Sequence, residues 1–179
     1  MQEYKNILVT GGAGFIGSNF VQQAIQRGQN IVVLDALTHR SNKQNLANVS
    51  GKGSLVLIEN NICNTEFLFT LLHEYQIEAI IHCAIEKSDT NTAHMLQTNI
   101  LGTYNVLEIS RQYYNSLSVE SKKHFRFIHV SSQDICATPG LDNLSNSETN
   151  STLKAPDSPY LASKTSASML AHAWYKTYG

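Results

Sequence analysis

Five short apolar runs divide the first 130 residues of the chain, and each has the length of a strand. They span residues 7–9, 31–34, 55–58, 79–84 and 125–130, and most of their positions are Ile, Val, Leu, Ala or Phe. Apolar runs without a strict alternation of polar positions are typical of strands that are buried on both faces, as in a parallel sheet.

Longer amphipathic stretches separate these runs and predict helices. Apolar residues recur at helical spacing over 15–25, 67–75 and 94–114, and a last helix is predicted over 159–178. Asn64 or Thr65 is suited to cap the second of these helices, and Ser158 followed by Pro159 is suited to begin the last. The segment 36–53 is polar and predicts a loop with a short helix near 44–49.

Strands that alternate with helices predict an α/β fold with a doubly wound parallel sheet and helices on both faces, the Rossmann type. Ligands of such sheets bind at the carboxyl ends of the strands. In this chain those ends are expected at Thr10, Asp35, Asn60, Ala84 and Ser131.

Composition and charge exclude several classes of function. The 179 residues are 42% hydrophobic with a net charge of −1, which predicts one compact domain over 1–179 and argues against nucleic acid or an anionic membrane as partner. No apolar run approaches the roughly 20 residues of a membrane span, and no signal-peptide core precedes the first strand, so a cytoplasmic protein is expected. Cys63, Cys83 and Cys136 are widely spaced, which fits reduced thiols better than a disulfide framework or a metal site.

A glycine-rich segment, Thr10 to Gly17, stands between the first strand and the first helix. Gly12-x-Gly14-x-x-Gly17 matches the dinucleotide fingerprint, in which glycines allow a tight turn and a close approach of the backbone to a pyrophosphate. Asp35 ends the second strand 18 residues after Gly17, near the position of an acid that binds a ribose 2′-hydroxyl. These features predict NAD as cofactor, because a carboxylate repels a 2′-phosphate, while Arg40 nearby leaves NADP as the alternative.

Tyr160 and Lys164 are four residues apart on the last predicted helix and therefore share one face. An ammonium beside a phenol lowers the pKa of the phenol, so that the tyrosine can take a proton from a substrate hydroxyl. Ser132, at the tip of the fifth strand, can share that hydroxyl. His82 and His129 are interpreted as interior histidines, and Cys136 as a thiol without a catalytic base.

These segments together resemble the extended short-chain dehydrogenase/reductases, and the resemblance covers nearly the whole chain. It is carried by the glycine turn, Asp35, the segment 98–103, Ser131-Ser132 and the segment 160–164. Within the family, the nucleotide-sugar 4,6-dehydratases are the most similar. The resemblance implies a dTDP- or UDP-linked hexose that is oxidised at C4 by NAD, with Tyr160 as base, Ser132 as its hydrogen-bond partner and Lys164 on the nicotinamide ribose.

The resemblance also implies a set of cofactor contacts, in which Asn61 and Ile62 hold the adenine. Asn61 stands where many relatives have Asp, and its amide can still form hydrogen bonds. The implied cofactor-binding residues are Gly11, Gly14, Phe15, Ile16, Gly17, Asp35, Leu37, Thr38, Asn61, Ile62, Ala84, Asn99, Tyr160 and Lys164.

Gln133 and Asp134 depart from the family pattern at the positions implied to be catalytic for water elimination. The dehydratases carry Asp and Glu there, the Asp protonating the departing C6 hydroxyl and the Glu removing the C5 proton. An amide has no proton to give at neutral pH, so Gln133 cannot be that acid. Asp134 keeps a carboxylate but is one methylene shorter than Glu.

Three functions therefore stay open: a nucleotide-sugar 4,6-dehydratase, a 4-epimerase or related C4 oxidoreductase, and a catalytically silent NAD-binding or dimerising module. The resemblance implies a C-terminal substrate-binding lobe that is absent from these 179 residues. A homodimer is expected through the helices near 94–114 and 159–178.

Overall fold

A computed structural model describes residues 4–87, 91–132 and 156–179. Its five strands form one parallel sheet in the order β3-β2-β1-β4-β5, as predicted for a doubly wound fold. The strands are β1 (Asn6–Thr10), β2 (Asn30–Asp35), β3 (Leu55–Glu59), β4 (Ala79–His82) and β5 (Arg126–His129). The connection from β3 to β4 carries the chain from one half of the sheet to the other, so the strand order switches between the neighbouring strands β1 and β4, the position at which such folds open a ligand crevice.

Six α-helices surround the sheet in the described ranges: α1 (Phe15–Gln26), α2 (Thr65–Glu74), α3 (Thr92–Leu96), α4 (Thr103–Ser116), α5 (Val119–His124) and α6 (Pro159–Tyr178). The predicted helix over 94–114 is in fact α3, a π-helical turn over Gln97–Gly102, and α4. The predicted short helix near 44–49 is a 3₁₀ turn over Lys43–Leu46. The helix α5 was not predicted, and the strand expected over 79–84 ends at His82.

Two hydrophobic clusters hold the helices against opposite faces of the sheet. Leu8 and Ile80 face the cluster shared with α2 and α4, whereas Ile7 and Ile81 face the cluster shared with α1. Successive residues of a strand point to opposite faces, so apolar residues at every position are required in strands covered on both sides. This explains why the runs of the sequence are continuously apolar.

The residues predicted to cap α2 and α6 do so in the structure. The Asn64 side chain accepts a hydrogen bond from the Phe67 N–H and caps α2, while the Ser158 hydroxyl accepts from the Leu161 N–H and caps α6 with Pro159 in its first turn. The helix α6 packs on α4, on the π-helical turn and on α3. Among the described residues, the helices are too short or too polar to cross a bilayer.

Candidate functional site

The glycine turn lies at the carboxyl end of β1, where neighbouring backbone segments leave no room for a Cβ atom at Gly11 or Gly17. Gly11 has φ +67°, and a Cβ there would lie 2.7 Å from the backbone of Ala84 after β4. A Cβ on Gly17 would lie 2.7 Å from the Cα of Gly12, so any side chain at Gly17 would separate α1 from the turn. Gly12 is buried against Val33 and not at the cleft, so the first functional glycine of the fingerprint is Gly11.

The N-terminus of α1 opens into a cleft beside this turn. Gly14 is its N-cap residue, and in the described part of the chain no side chain caps the helix and no acidic residue lies in its first turn. Its first N–H groups and the positive end of its dipole are therefore available to an anion. Phe15 and Ile16 are exposed at the mouth of the same cleft.

Asp35 is a buried carboxylate at the end of β2 that borders this cleft. It accepts hydrogen bonds from the Ala13 N–H at 2.9 Å, the Leu37 N–H at 2.8 Å and the Ser41 hydroxyl at 2.7 Å. A carboxylate offers about four lone-pair sites, so one acceptor position is left for a ligand. Asp35 thus supports the glycine turn and also lines the cleft.

Most of the expected cofactor residues line this one cleft, although sequence reasoning missed others. Gly11, Gly14, Phe15, Ile16, Gly17, Asp35, Thr38, Asn61, Ile62 and Ala84 all border it. Four of the expected cofactor residues do not border the cleft: Leu37, which has φ +50° and packs on the α1-side cluster, Asn99, Tyr160 and Lys164. The cleft also contains Asn60, an expected strand end, and Arg40. Residues that no pattern in the sequence places there are Ser41, Cys83, Ile85, Glu86, His94 and Thr98.

Asn99 is buried in the π-helical turn and joins two segments of the site. Its Nδ2 donates to the carbonyl of Glu86 at 2.8 Å and to the Ser163 hydroxyl at 2.9 Å, while its Oδ1 accepts from the Glu86 N–H at 2.8 Å. Glu86 is itself buried, with a carboxylate oxygen 3.5 Å from the His39 ring. Asn99 therefore fixes the segment after β4 against α6.

Lys164 is a buried lysine of α6 that contacts the segment following β5. Its ammonium donates to the carbonyl of Val130 at 3.1 Å, two residues before Ser132. The hydroxyls of Ser131 and Ser168 form a second link of 2.8 Å between the strand end and the helix. Ser132 and Tyr160 are both half-buried, and Tyr160 lies one helical turn before Lys164. The two hydrogen bonds join the middle of α6 to the segment that follows β5.

Burial shifts the pKa of Lys164 and of the groups around it. It lowers the pKa of the Lys164 ammonium below its ordinary value and raises the pKa of the Cys83 thiol to about 11. It also lowers the pKa of His82 to about 3 and that of His129 to about 4, with smaller contributions from the Lys164 charge. His82 is a hydrogen-bonded interior histidine as expected, whereas neither ring nitrogen of His129 has a partner among the described residues. Gln133, Asp134 and Cys136 lie outside the described residues.

Comparisons with known proteins agree with this architecture. The family model described as GDP-mannose 4,6 dehydratase matches residues 8–179. The dTDP-glucose 4,6-dehydratase 1 of Escherichia coli (strain K12) is 40% identical over 97% of this chain and 51% of its own length. The dTDP-glucose 4,6-dehydratase of Haemophilus influenzae is 36% identical over 97% of this chain and 52% of its own length. The chain thus spans about half the length of the curated relatives it matches.

Solved structures show the same relationship. A crystal structure of dTDP-glucose 4,6-dehydratase from Bacillus anthracis in complex with NAD superposes with a TM-score of 0.80 at 35% identity, over 97% of this chain and 51% of that one. A UDP-glucose 4-epimerase from Thermotoga maritima with UDP-glucose reaches 0.77 at 29% identity, over 97% and 52%. The match of the family model to nearly every residue confirms the resemblance seen in the sequence: this chain belongs to the GDP-mannose 4,6 dehydratase family of extended short-chain dehydrogenase/reductases.

Proposed function

We propose that residues 1–179 form the NAD-binding domain of a nucleotide-sugar 4,6-dehydratase that acts on dTDP-glucose or a UDP-hexose. The observation that carries this proposal is the cleft at the switch in strand order between β1 and β4. There, an uncapped helix N-terminus and a buried carboxylate lie beside a turn that only glycine can form. Relatives described as complexes with NAD support the choice of cofactor.

The residues that line the cleft are of the kinds that would hold NAD. The first turn of α1, at Phe15, Ile16 and Gly17, would hold the pyrophosphate, and the remaining acceptor position of Asp35 would take a ribose hydroxyl. The adenine would lie against Asn61 and Ile62. Thr38 and Ala84 also line the cleft and would contact the cofactor. Leu37 and Asn99 do not line it, but their hydrogen bonds to Asp35 and Glu86 hold residues that do. Asp35 disfavours a 2′-phosphate, although Arg40 lines the same cleft.

The oxidation of the sugar is proposed to use three side chains: Tyr160 and Ser132 on the sugar hydroxyl, and Lys164 on Tyr160. When bound, NAD would supply the hydride chemistry, because it can accept a hydride from C4 of the hexose and give it back at C6 after water has left, so that the net change is the loss of one water. Tyr160 would take the proton of the C4 hydroxyl, Ser132 would hold the same oxygen by a hydrogen bond, and Lys164 would stabilise the phenolate through its charge. The bond from Lys164 to Val130 holds its ammonium at the strand end where Ser132 lies.

Elimination of water is the step that separates the candidate activities. With Gln133 in place of an acid, Asp134 is the only carboxylate of the pair that can move a proton, and an epimerase needs neither. The alternative of a nucleotide-sugar 4-epimerase or related C4 oxidoreductase is favoured by this substitution and by the similarity to an epimerase structure. A silent NAD-binding or dimerising module is the third candidate.

Product analysis distinguishes these candidates. The complete protein is incubated separately with dTDP-glucose and UDP-glucose, and the products are examined by mass spectrometry after chromatographic separation of hexose isomers. A dehydratase yields a sugar lighter by one water, an epimerase an isomer of equal mass, and a silent module neither. The expected result is loss of water in the unchanged protein and no product in Tyr160→Phe, which keeps NAD bound. An isomer or an unchanged sugar would overturn the dehydratase assignment.

Location and assembly are proposed on separate grounds. A cytoplasmic protein is supported by the unpaired thiols of Cys63 and Cys83, which suit a reducing compartment. A homodimer is supported by large apolar side chains that are exposed on the π-helical turn and on α6, which pack on each other, among them Leu101 and Met169.

A further inference from the structure

Lys87 lies in the segment after β4 and reaches the first turn of α6. Its ammonium nitrogen is 5.0 Å from the centroid of the Tyr160 ring, and its side chain is otherwise exposed. A cation within about 6 Å of an aromatic face is attracted by the electron density of the ring. Two lysines therefore lie near Tyr160: Lys87 over its ring, and Lys164 one turn later on the same helix.

The backbone of Lys87 is held on both sides. Its N–H donates to the Glu86 carboxylate at 2.9 Å, and its carbonyl accepts from the Arg40 Nε at 3.1 Å. Because Glu86 is buried and Arg40 borders the cleft, the two bonds tie Lys87 to the cofactor side of the site. Because the backbone of Lys87 is already fixed, only the freedom of its side chain is lost when the ammonium lies over the ring, and no further backbone entropy is lost.

Asn99 connects both partners of this contact. It holds Glu86 next to Lys87 through two hydrogen bonds, and it holds Ser163 on α6 through a third. The Ser163 hydroxyl in turn donates to the carbonyl of Tyr160 at 2.7 Å. One buried amide therefore sets the distance between the segment that carries Lys87 and the helical turn that carries Tyr160.

We propose that Lys87 is a positioning residue for Tyr160: its ammonium, held over the ring, favours the phenolate and assists the proton transfer assigned to Tyr160. This role rests on the proposed function. A phenolate carries more negative charge on its ring and oxygen than a phenol does, so a nearby cation stabilises the ionised form more. A unit charge about 6 Å away in a medium close to water shifts a titration by about half a pH unit.

Other titratable groups lie on the elements that meet near this turn or contact one another there, and they must stay constant in the test. They are Cys83 and Glu86 beside β4, His39 and Arg40 after β2, His94 on α3, His129 on β5, and Asp157 and Lys164 on or beside α6. None of them is altered when Lys87 alone is replaced, so their contributions cancel in a comparison of variants.

The titration of Tyr160 can be followed by NMR on the full chain labelled with ¹³C at the tyrosine Cζ. Tyr160→Phe identifies its signal among the eight tyrosines. Lys87→Met is expected to move the midpoint to higher pH by about half a unit. Lys87→Arg, which stays charged throughout the titration, is expected to keep the midpoint at or below that of the unchanged chain. The measurement requires neither bound cofactor nor turnover, so failure of the proposed function leaves it interpretable.

Lys122→Met is the matched control, since Lys122 is also a lysine over a tyrosine ring, half-buried and 5.5 Å from the centroid of Tyr114. It is expected to leave the Tyr160 midpoint unchanged. An unchanged midpoint in Lys87→Met would overturn the proposal. Equal shifts in the Met and Arg variants would also overturn it, because they would trace the effect to side-chain shape and not to charge.

Discussion

His82 shows how one residue links the strand ends to the site. Its Nδ1 is 2.7 Å from the Thr10 hydroxyl and its Nε2 is 3.0 Å from the Thr103 hydroxyl. Because Thr103 donates its proton to the carbonyl of Asn99, it accepts from His82, which assigns the imidazole proton to Nε2. Thr10 then donates to Nδ1. A second proton on the ring would break this bond, in agreement with the pKa of about 3 caused by burial.

Protonation of His82 predicts a loss of stability in acid. The folded pKa is about 3 and the ordinary value is 6.5, so between these limits the unfolded chain binds a proton that the folded chain excludes. The free energy of unfolding therefore falls as the pH falls, by about 1.4 kcal/mol per pH unit for this one proton in the middle of the window. His82→Gln is expected to reduce the slope measured by urea denaturation between pH 6 and pH 4 by about that amount. An unchanged slope would show that His82 does not carry the effect, whereas His129 keeps its own contribution in both proteins.

The glycines of the turn differ in what a methyl group would meet. At Gly17 the methyl would meet backbone atoms of Gly11 and Gly12, which cannot rotate away, whereas at Gly14 it would lie 3.3 Å from a single carbonyl oxygen. Gly17→Ala is expected to lower the free energy of unfolding by about 1–3 kcal/mol despite the better helix propensity of Ala. Gly14→Ala is the matched control, and its expected cost is below about 1 kcal/mol. Equal costs in denaturant titrations would contradict the steric account.

At the scale of elements, the π-helical turn over Gln97–Gly102 is the feature that periodicity could not reveal. Apolar spacing over 94–114 indicates a continuous helix, and one extra residue in a single turn hardly changes that pattern. The turn places Asn99 where it bonds to the segment after β4 and to α6 at the same time. Such turns are frequent at functional sites.

Removal of the Asn99 amide tests this element. Asn99→Ala leaves a buried N–H and a buried carbonyl of Glu86 without partners, at an expected cost of about 2–4 kcal/mol. Asn64→Ala, which removes the single cap of α2, is the matched control with an expected cost of about 1 kcal/mol. Hydrogen exchange should also accelerate in the first turns of α6 in Asn99→Ala only. Equal exchange in the two variants would show that Asn99 does not hold α6.

At the scale of the whole molecule, sequence order predicted the architecture well but the site only in part. The strands, the glycine turn and Asp35 are local features, readable from runs and spacings of fewer than 20 residues. Glu86, His94 and Thr98 enter the cleft only because β4 crosses to lie beside β1, which no local pattern contains. The contact of Lys87 with Tyr160 likewise joins residues that are distant in sequence.

Assembly is a second property of the whole molecule. Leu101 and Met169 are each more than half exposed, on the adjacent π-helical turn and α6. Sedimentation velocity is expected to show a homodimer for the unchanged chain and a monomer for the pair Leu101→Glu and Met169→Glu, since a buried charge without a partner is costly. Val119→Glu, an exposed apolar residue on α5, is the control that should leave the dimer intact. A monomeric unchanged chain would contradict the assignment.

We propose that the cleft between β1 and β4 binds NAD through the glycine turn and Asp35. Isothermal titration calorimetry of the chain with NAD⁺ and NADP⁺ tests it most directly. We expect saturable binding of one NAD⁺ per chain and, because of the Asp35 carboxylate, at least tenfold weaker binding of NADP⁺. Gly17→Ala is expected to abolish the binding of both while the fold is retained. Absence of NAD⁺ binding by the folded chain, or equal affinity for the two cofactors, would contradict it.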